Sequence, residues 1–576
     1  MKKIIFPTII ILIASIIQAQ PLSTTLQKKM MQTASAISNL YVDTISDTRI
    51  IDSSIKGMLK ELDPHSTYTP AEEVQRLREP LEGSFEGIGV QFQILEDTIN
   101  VVQTITGCPA EKVGVLPGDK IIYIENQLVA GNKIQNSDVQ KQLRGKRGTE
   151  VTIKVKRNTS EKLLDFTIVR DKIPLYSVDA SYMTDKNIGF IKINSFGSTT
   201  SKEFEKAFEK LKKQGMKDLI LSLQMNGGGF LGTAIELADH FLGKGKLIVY
   251  TEGEHQPKTT AEATTSGNFE TGRLIVLVDE YSASASEIVS GALQDWDRAV
   301  IVGRRTFGKG LVQREIGLAD GSILRLTTAR YYTPSGRCIQ KPYNDGAEKY
   351  YKDILERSLN GELLNKDSIH FPDSLKYQTK TLHRTVYGGG GITPDVFVPI
   401  DTTGFSVFHR KLVAKGLISK VTLQYVNQNR ETLKKQYPSF EKFDKNFAVS
   451  ENMLQKLLGE AEKEKITTDS IQPNNDKIRK EISGILVKNN RKLSDENNNL
   501  IDKLITETEI NGGESSIQQF DKSKKIITKQ MKALIAGDLW GTNEYYQVIN
   551  SENESLQKAI EILNTPNLYQ NILSGK

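Results

Sequence analysis

Cysteine is almost absent from this chain: among 576 residues only Cys108 and Cys338 occur. Two thiols cannot build a disulfide framework or a multi-cysteine zinc site, and both are expected to be unpaired. Histidine is scarce as well. His65, His240, His255, His370, His383 and His409 are scattered, and neither an H-E-x-x-H motif nor a G-x-S-x-G elbow is present. A compact metal site and a Ser-His-Asp triad are therefore not indicated, and no cofactor is expected. A strong excess of one charge is also missing. The formal net charge is +6, of which Lys2 and Lys3 supply two. So mild a balance does not point to nucleic acid. Beyond the first twenty residues, no apolar run approaches the ~20 residues that span a bilayer.

What is present begins with a leader. Lys2 and Lys3 precede the apolar run Ile4 to Ile17, which contains Pro7 and ends at Gln18-Ala19-Gln20 before a polar stretch. This is the layout of a secretory signal peptide over residues 1–20, short for a membrane span. No cysteine follows it, so a lipoprotein anchor is not expected; export, with the periplasm as destination, is. The remainder, with 38% hydrophobic and 25% charged residues overall, has ordinary globular composition and room for several domains.

The periodicities change along the chain. Residues 21–82 read as helical, broken at Asp63-Pro64-His65-Ser66. Residues 83–172 carry short β-type runs, such as Lys120-Ile121-Ile122-Tyr123-Ile124 and Val151-Thr152-Ile153-Lys154-Val155, between Gly and Pro signals. Over 173–404 apolar strands alternate with helices: Leu219 to Leu223, then a helix from about Thr233 to Phe241; Leu274 to Val278, then a helix from about Ser284 to Trp296. Residues 405–576 are rich in Lys, Glu, Asn and Leu with helical periodicity. The expected fold class is multidomain α/β: an α/β core, an inserted β-rich domain, an N-terminal helical segment and a C-terminal helical extension.

Ser282-Ala283-Ser284-Ala285-Ser286-Glu287 joins an apolar strand to a helix. A serine there can act as a nucleophile, because the unpaired N–H groups and positive dipole of a helix N-terminus favour a developing oxyanion. The same letters also spell an ordinary capping box, S-x-x-E from Ser284 to Glu287. With histidine unplaced, Lys309 in Gly308-Lys309-Gly310 offers an alternative base, provided desolvation lowers its pKa. Gln313, four residues on, can share its side of a strand or helix. Gly303-x-x-x-x-Gly308-Lys309 imitates a phosphate loop, but Gly310 breaks the motif and a strand follows where a helix is required. Asn226-Gly227-Gly228-Gly229-Phe230 after an apolar strand lets backbone amides approach a ligand. Asn158-Thr159-Ser160 is a formal sequon, read as incidental.

Taken in order, Asn226-x-Gly228-Gly229, Ser282 to Glu287 and Thr306-Phe307-Gly308-Lys309-Gly310-x-Val312-Gln313 resemble the carboxyl-terminal processing peptidases, or tail-specific proteases. Leu62-Asp63-Pro64-His65-Ser66, Pro117-Gly118-Asp119, Tyr332-Thr333-Pro334-Ser335-Gly336 and Gly391-Ile392-Thr393-Pro394-Asp395 extend the resemblance over roughly residues 25 to 400. It implies Ser284 as nucleophile, Lys309 as base and Gln313 as the residue orienting the amine. The oxyanion donors it implies are Ala285 and either Gly228 or Gly229, between which the sequence does not choose. Gly87-Ile88-Gly89-Val90 resembles the carboxylate-binding loop of a PDZ domain, implying capture of protein C-termini. Cys108, beside Pro109-Ala110, is read as structural.

One departure stands out: the acidic and basic residues usual before the glycine turn are replaced by Ser222 and Gln224. The expectation is an exported serine endopeptidase acting on proteins or peptides with accessible C-termini. A non-catalytic PDZ scaffold is the alternative, and an exported acyl hydrolase of non-peptide substrates a further one. For the extension, self-association, docking of an adaptor and shielding of the active site are equally compatible with the sequence. The resemblance also admits a latent resting state.

Overall fold

A computed structural model describes residues 23–157, 160–265, 267–466 and 516–575. The expected leader, and Asn158 and Thr159 of the sequon, lie outside the described residues. The α/β core is a six-stranded sheet in the order Val178–Asp185, Ile188–Ile193, Asp218–Ser222, Leu274–Val278, Val300–Gly303, Val396–Phe397. The first pair is antiparallel and the others are parallel. Leu274-Ile275-Val276-Leu277-Val278 is apolar without a break because both faces of the sheet are covered. Leu274, Val276 and Val278 pack with the helices Thr200–Lys213, Leu231–Asp239 and Ala285–Asp295. Ile275 and Leu277 point the other way, onto Leu556, Ala559, Ile562 and Leu563 of the helix Glu554–Asn564 and onto Tyr569. Each such side chain, fully buried, contributes roughly 1.5–3 kcal/mol.

The C-terminal extension thus divides between two cores. Its helices Val407–Ala414, Leu417–Gln436, Glu451–Lys463 and Ser516–Leu539 enclose a core of their own. The final two, Glu554–Asn564 and Leu568–Leu573, complete the α/β core. Between these groups the helix Thr542–Ile549 lies against the strand Val178–Asp185.

A second, five-stranded sheet is built around one long strand. Ile323–Tyr332 pairs with Thr67–Thr69, Leu247–Gly253 and Leu311–Gly317. The β-rich domain is a further six-stranded sheet around Ile99, Val101, Ile121, Val151, Ile153 and Val155. It enters and leaves through the antiparallel ribbon of Ser84–Gly87 with Asp171–Pro174. Val90–Leu95 is its edge strand, and a cleft of about 390 Å3 separates Gln91, Phe92 and Gln93 from Leu423, Leu534 and Tyr545 of the extension.

Candidate active site

The strand Leu274–Val278 runs into a sharp turn, and Ser284 caps the helix Ala285–Asp295 with φ +55° and ψ −113°. Positive φ strains a residue bearing a Cβ, at a cost of order 1–3 kcal/mol, and persists only where the surroundings over-determine it. Here they do. The Asp279 carboxylate accepts the N–H groups of Tyr281 and Ser282, both at 3.1 Å, and of Met225 at 3.0 Å. Ser282 Oγ donates to Leu223 C=O at 2.8 Å, Ser286 Oγ to Asn226 C=O at 2.9 Å, and Ala283 N–H to the same carbonyl at 3.0 Å. The flanking serines therefore stitch the turn to the glycine loop, and Tyr331 donates its hydroxyl to Ser284 C=O at 3.2 Å. A Cβ on Gly228 would stand 2.8 Å from that of Ser284, so only glycine fits there.

Glu287 does more than cap. Its wholly buried carboxylate accepts four donors: Ser284 N–H (2.8 Å) and Lys309 N–H (2.9 Å) on Oε2, Gly308 N–H (2.7 Å) and Thr306 Oγ1 (2.5 Å) on Oε1. Burial pushes its pKa upward, against the pull of those four bonds. Phe307 N–H adds a bond to Ser282 C=O at 3.0 Å. The backbones carrying residues 284 and 309 are in this way fixed relative to one another.

Lys309 is held with its pKa lowered to about 8, first by desolvation and then by the positive charge of Arg325, with Glu287 and Asp63 opposing. An amine so placed is a competent base near neutral pH. It is not hydrogen-bonded to the Ser284 hydroxyl in this conformation. Gln313 Nε2 donates to Thr327 Oγ1 at 3.2 Å, not to a group on Lys309.

The glycine turn distinguishes its own members. Gly228 N–H is taken by Asn226 Oδ1 at 2.8 Å. Gly228 C=O accepts Phe196 N–H at 3.0 Å, and across the trans peptide Gly229 N–H faces away from Phe196 with no partner in the protein. Ala285 N–H, at the start of its helix, is likewise unpaired.

Residues 187–348 match the profile of peptidase family S41, residues 87–168 that of a PDZ domain, and residues 408–490 and 491–541 that of a family of unknown function, DUF8443. The chain is 37% identical over 352 residues to a carboxy-terminal-processing protease of Bartonella bacilliformis, covering 59% of this chain and 80% of that one. It is 32% identical over 444 residues to the carboxy-terminal processing protease CtpA of Bacillus subtilis, covering 77% and 88%. The chain belongs to peptidase family S41. It is a serine peptidase with a PDZ domain, as the motif resemblance led us to expect. Among solved structures, the photosystem II D1 C-terminal processing protease aligns at 27% identity over 55% of this chain and 91% of that one, with a TM-score of 0.32.

In the PDZ domain of this S41 peptidase, Gly89 takes φ +80°, and a Cβ there would lie 2.5 Å from Cβ of Cys108, which packs beneath the loop. Ile88 C=O accepts Ala110 N–H and Gly89 C=O accepts Ile105 N–H, both at 2.9 Å. The N–H groups of Ile88 and Gly89 have no partner in the protein, while Val90 starts the edge strand. Both cysteines are free, and burial raises each thiol's pKa.

Asp63 and His65, present in the sequence only as parts of a motif, are neighbours of Lys309. Asp63 Oδ1 accepts His65 N–H at 2.8 Å, Ser66 N–H at 3.0 Å and Thr327 Oγ1 at 3.0 Å, so it reaches the hydroxyl that Gln313 also contacts. His65 Nε2 lies 2.8 Å from the Tyr350 hydroxyl, and burial with the nearby Lys309 charge lowers its pKa to about 4. The Asp63-Pro64-His65-Ser66 motif read as a turn and as part of the family resemblance, and nothing local in it pointed to residue 309.

Proposed function

We propose that this protein is an exported endopeptidase that seizes protein C-termini through Gly87, Ile88, Gly89 and Val90 and cleaves with a Ser284–Lys309 dyad supported by Gln313. The observation that carries the reading is the pairing of a strained serine at a helix N-terminus with a desolvated lysine on one shared clamp, Glu287. Ser284 Oγ attacks the peptide carbonyl carbon while neutral Lys309 takes its proton. The oxyanion is met by Ala285 N–H and Gly229 N–H, since the amide of Gly228 is already engaged. Lys309 then gives its proton to the departing amine as the C–N bond breaks, leaving an ester on Ser284. Water attacks the ester, Lys309 accepting its proton and returning it to Ser284.

The hydroxyl and amine are not bonded in the resting conformation, and Gln313 is engaged with Thr327. A seated substrate supplies the shift that brings them together, which makes the resting enzyme latent. Export rests on the layout of residues 1–20, with the periplasm as compartment. The edge strand Val90–Leu95 offers backbone pairing to an extended tail, and the free amides of Ile88 and Gly89 meet its carboxylate.

The test is cleavage of an unfolded protein with an apolar C-terminus. Ser284→Ala and Lys309→Ala should each reduce turnover at least 10³-fold, in line with loss of nucleophile or base, and amidation of the substrate tail should raise KM. Wild-type turnover by either variant would overturn the assignment.

A further inference from the structure

Ser222 and Gln224 precede the glycine turn. The structure shows what holds them. Lys192, in register with Ser222, donates from Nζ to Gln224 C=O at 2.9 Å. The Gln224 side chain accepts a bond from Asn553 Nδ2, also at 2.9 Å, and Asn553 belongs to the C-terminal extension. Asn553 Oδ1 accepts Leu556 N–H at 3.1 Å and caps the helix Glu554–Asn564, so one end of its amide is fixed and the other is aimed at Gln224.

The preceding helix of the extension supports the same point. The Tyr546 ring lies 5.6 Å from Lys192 Nζ, and its hydroxyl donates to Asp179 Oδ2 at 2.9 Å. Asn550 Nδ2 donates to the Tyr182 hydroxyl at 2.9 Å, and Asn543 Oδ1 accepts Ser181 N–H at 2.8 Å. Gln224 is therefore held at both ends: its carbonyl by Lys192, which Tyr546 covers, and its side chain by Asn553. The next residue, Met225, sits at φ +60°, a left-handed conformation that its Cβ disfavours. It leads directly into Asn226 and the glycines.

We propose that the segment from Tyr546 to Asn553 is a positioning element for the oxyanion-binding turn, with Asn553 the positioning residue that acts through Gln224. The extension thereby supplies, from outside the residues 187–348 that match the peptidase family, a brace that grips the turn through Gln224. The proposal rests on the glycine turn serving a serine peptidase mechanism.

The test uses the full chain. Asn553→Ser keeps a good helix cap but is too short to reach Gln224, and Gln224→Met removes the acceptor at similar length. Each is expected to lower kcat about tenfold, less than the ~10²–10³ lost with an oxyanion donor itself, with KM within about twofold. Affinity for a peptide aldehyde that adds reversibly to Ser284 should fall in proportion, while a non-cleavable tail peptide binds as to wild type. The double variant should be no slower than the worse single variant, because both remove one bond. Lys558→Ala, on an exposed Lys–Glu pair of the same helix, should leave kcat unchanged. Wild-type kcat in Asn553→Ser, strictly additive losses, or a kcat loss without weaker aldehyde binding would overturn the proposal. Failure of the underlying reading is separate: Ser284→Ala would then retain turnover in the same assay.

Discussion

The backbone N–H groups of Ser284 and Lys309 converge on a single atom, Oε2 of Glu287, at 2.8 and 2.9 Å. Ser284 and Lys309 lie on different loops, yet one carboxylate sets the spacing of their main chains. In the proposed mechanism the lysine side chain is what adjusts, its amine moving to the serine hydroxyl.

Glu287→Gln should therefore damage activity more than its near-identical shape suggests. An NH2 group would replace one acceptor oxygen and face either two N–H donors at Oε2 or the Gly308 N–H and the Thr306 hydroxyl at Oε1, each buried donor left unsatisfied costing about 1–3 kcal/mol. We expect a melting temperature lower by several degrees and kcat down at least 10²-fold. Both are read from thermal unfolding and steady-state cleavage.

The pH profile follows from Lys309. With Lys309 as the proposed base the reaction needs the neutral amine, so kcat/KM should rise with pH along a limb centred near 8. Arg325 depresses that pKa, and Arg325→Gln should move the limb to higher pH. The sign for stability is the same. The folded state binds this proton less tightly than the unfolded chain, so the lysine's contribution to stability grows as pH rises from about 8 towards its unfolded value of 10.5. Lys309→Met should accordingly abolish cleavage and raise the melting temperature at pH 7. A lower melting temperature would show that the ammonium is well solvated.

Gly228→Ala and Gly229→Ala should fail for different steric reasons. At Gly228 the new methyl meets Ala283 C=O and Ser284 Cβ at 2.8 Å, displacing Ser284. At Gly229 it meets Phe196 C=O at 2.2 Å, shifting the turn. Both residues also have positive φ. Losses in kcat above 10²-fold are expected, and a serine-reactive phosphonate should label Gly228→Ala far more slowly than wild type.

Gly89→Ala separates tail capture from chemistry. Its methyl would collide with Cys108 beneath the loop and distort the amides of Ile88 and Gly89. Affinity for a fluorescent tail peptide should drop at least tenfold, and kcat/KM for tailed substrates with it. Labelling of Ser284 by a small phosphonate should persist. Unchanged peptide anisotropy would place the carboxylate elsewhere.

Much of the fold could be read directly because the local patterns were strong. The apolar run Leu274 to Val278 is a strand, and the predicted helix from Ser284 to Trp296 is found at Ala285–Asp295. The helical extension was also recognised from its periodicity. Its division was not, because Leu556, Ala559 and Ile562 make an amphipathic face that the sequence cannot assign to one partner over another. Glu287 was legible as a cap, whereas its bonds to Thr306, Gly308 and Lys309 depend on a loop arriving from the far side of a strand. His65 and Asp63 were visible only as a motif, since their proximity to Lys309 is a product of the second sheet.

The sequence by itself determined which chemical groups this peptidase has and the order of strands and helices that carry them. Both follow from residue type and from periodicities set by neighbours in the chain. Only the tertiary structure decided how those groups behave. Burial and Arg325 lower the pKa of Lys309, Asn226 determines which glycine amide is left free, and Asn553 takes up the side chain of Gln224. Each of these depends on desolvation or hydrogen bonding between residues remote in sequence, and such terms exist only once the chain has folded.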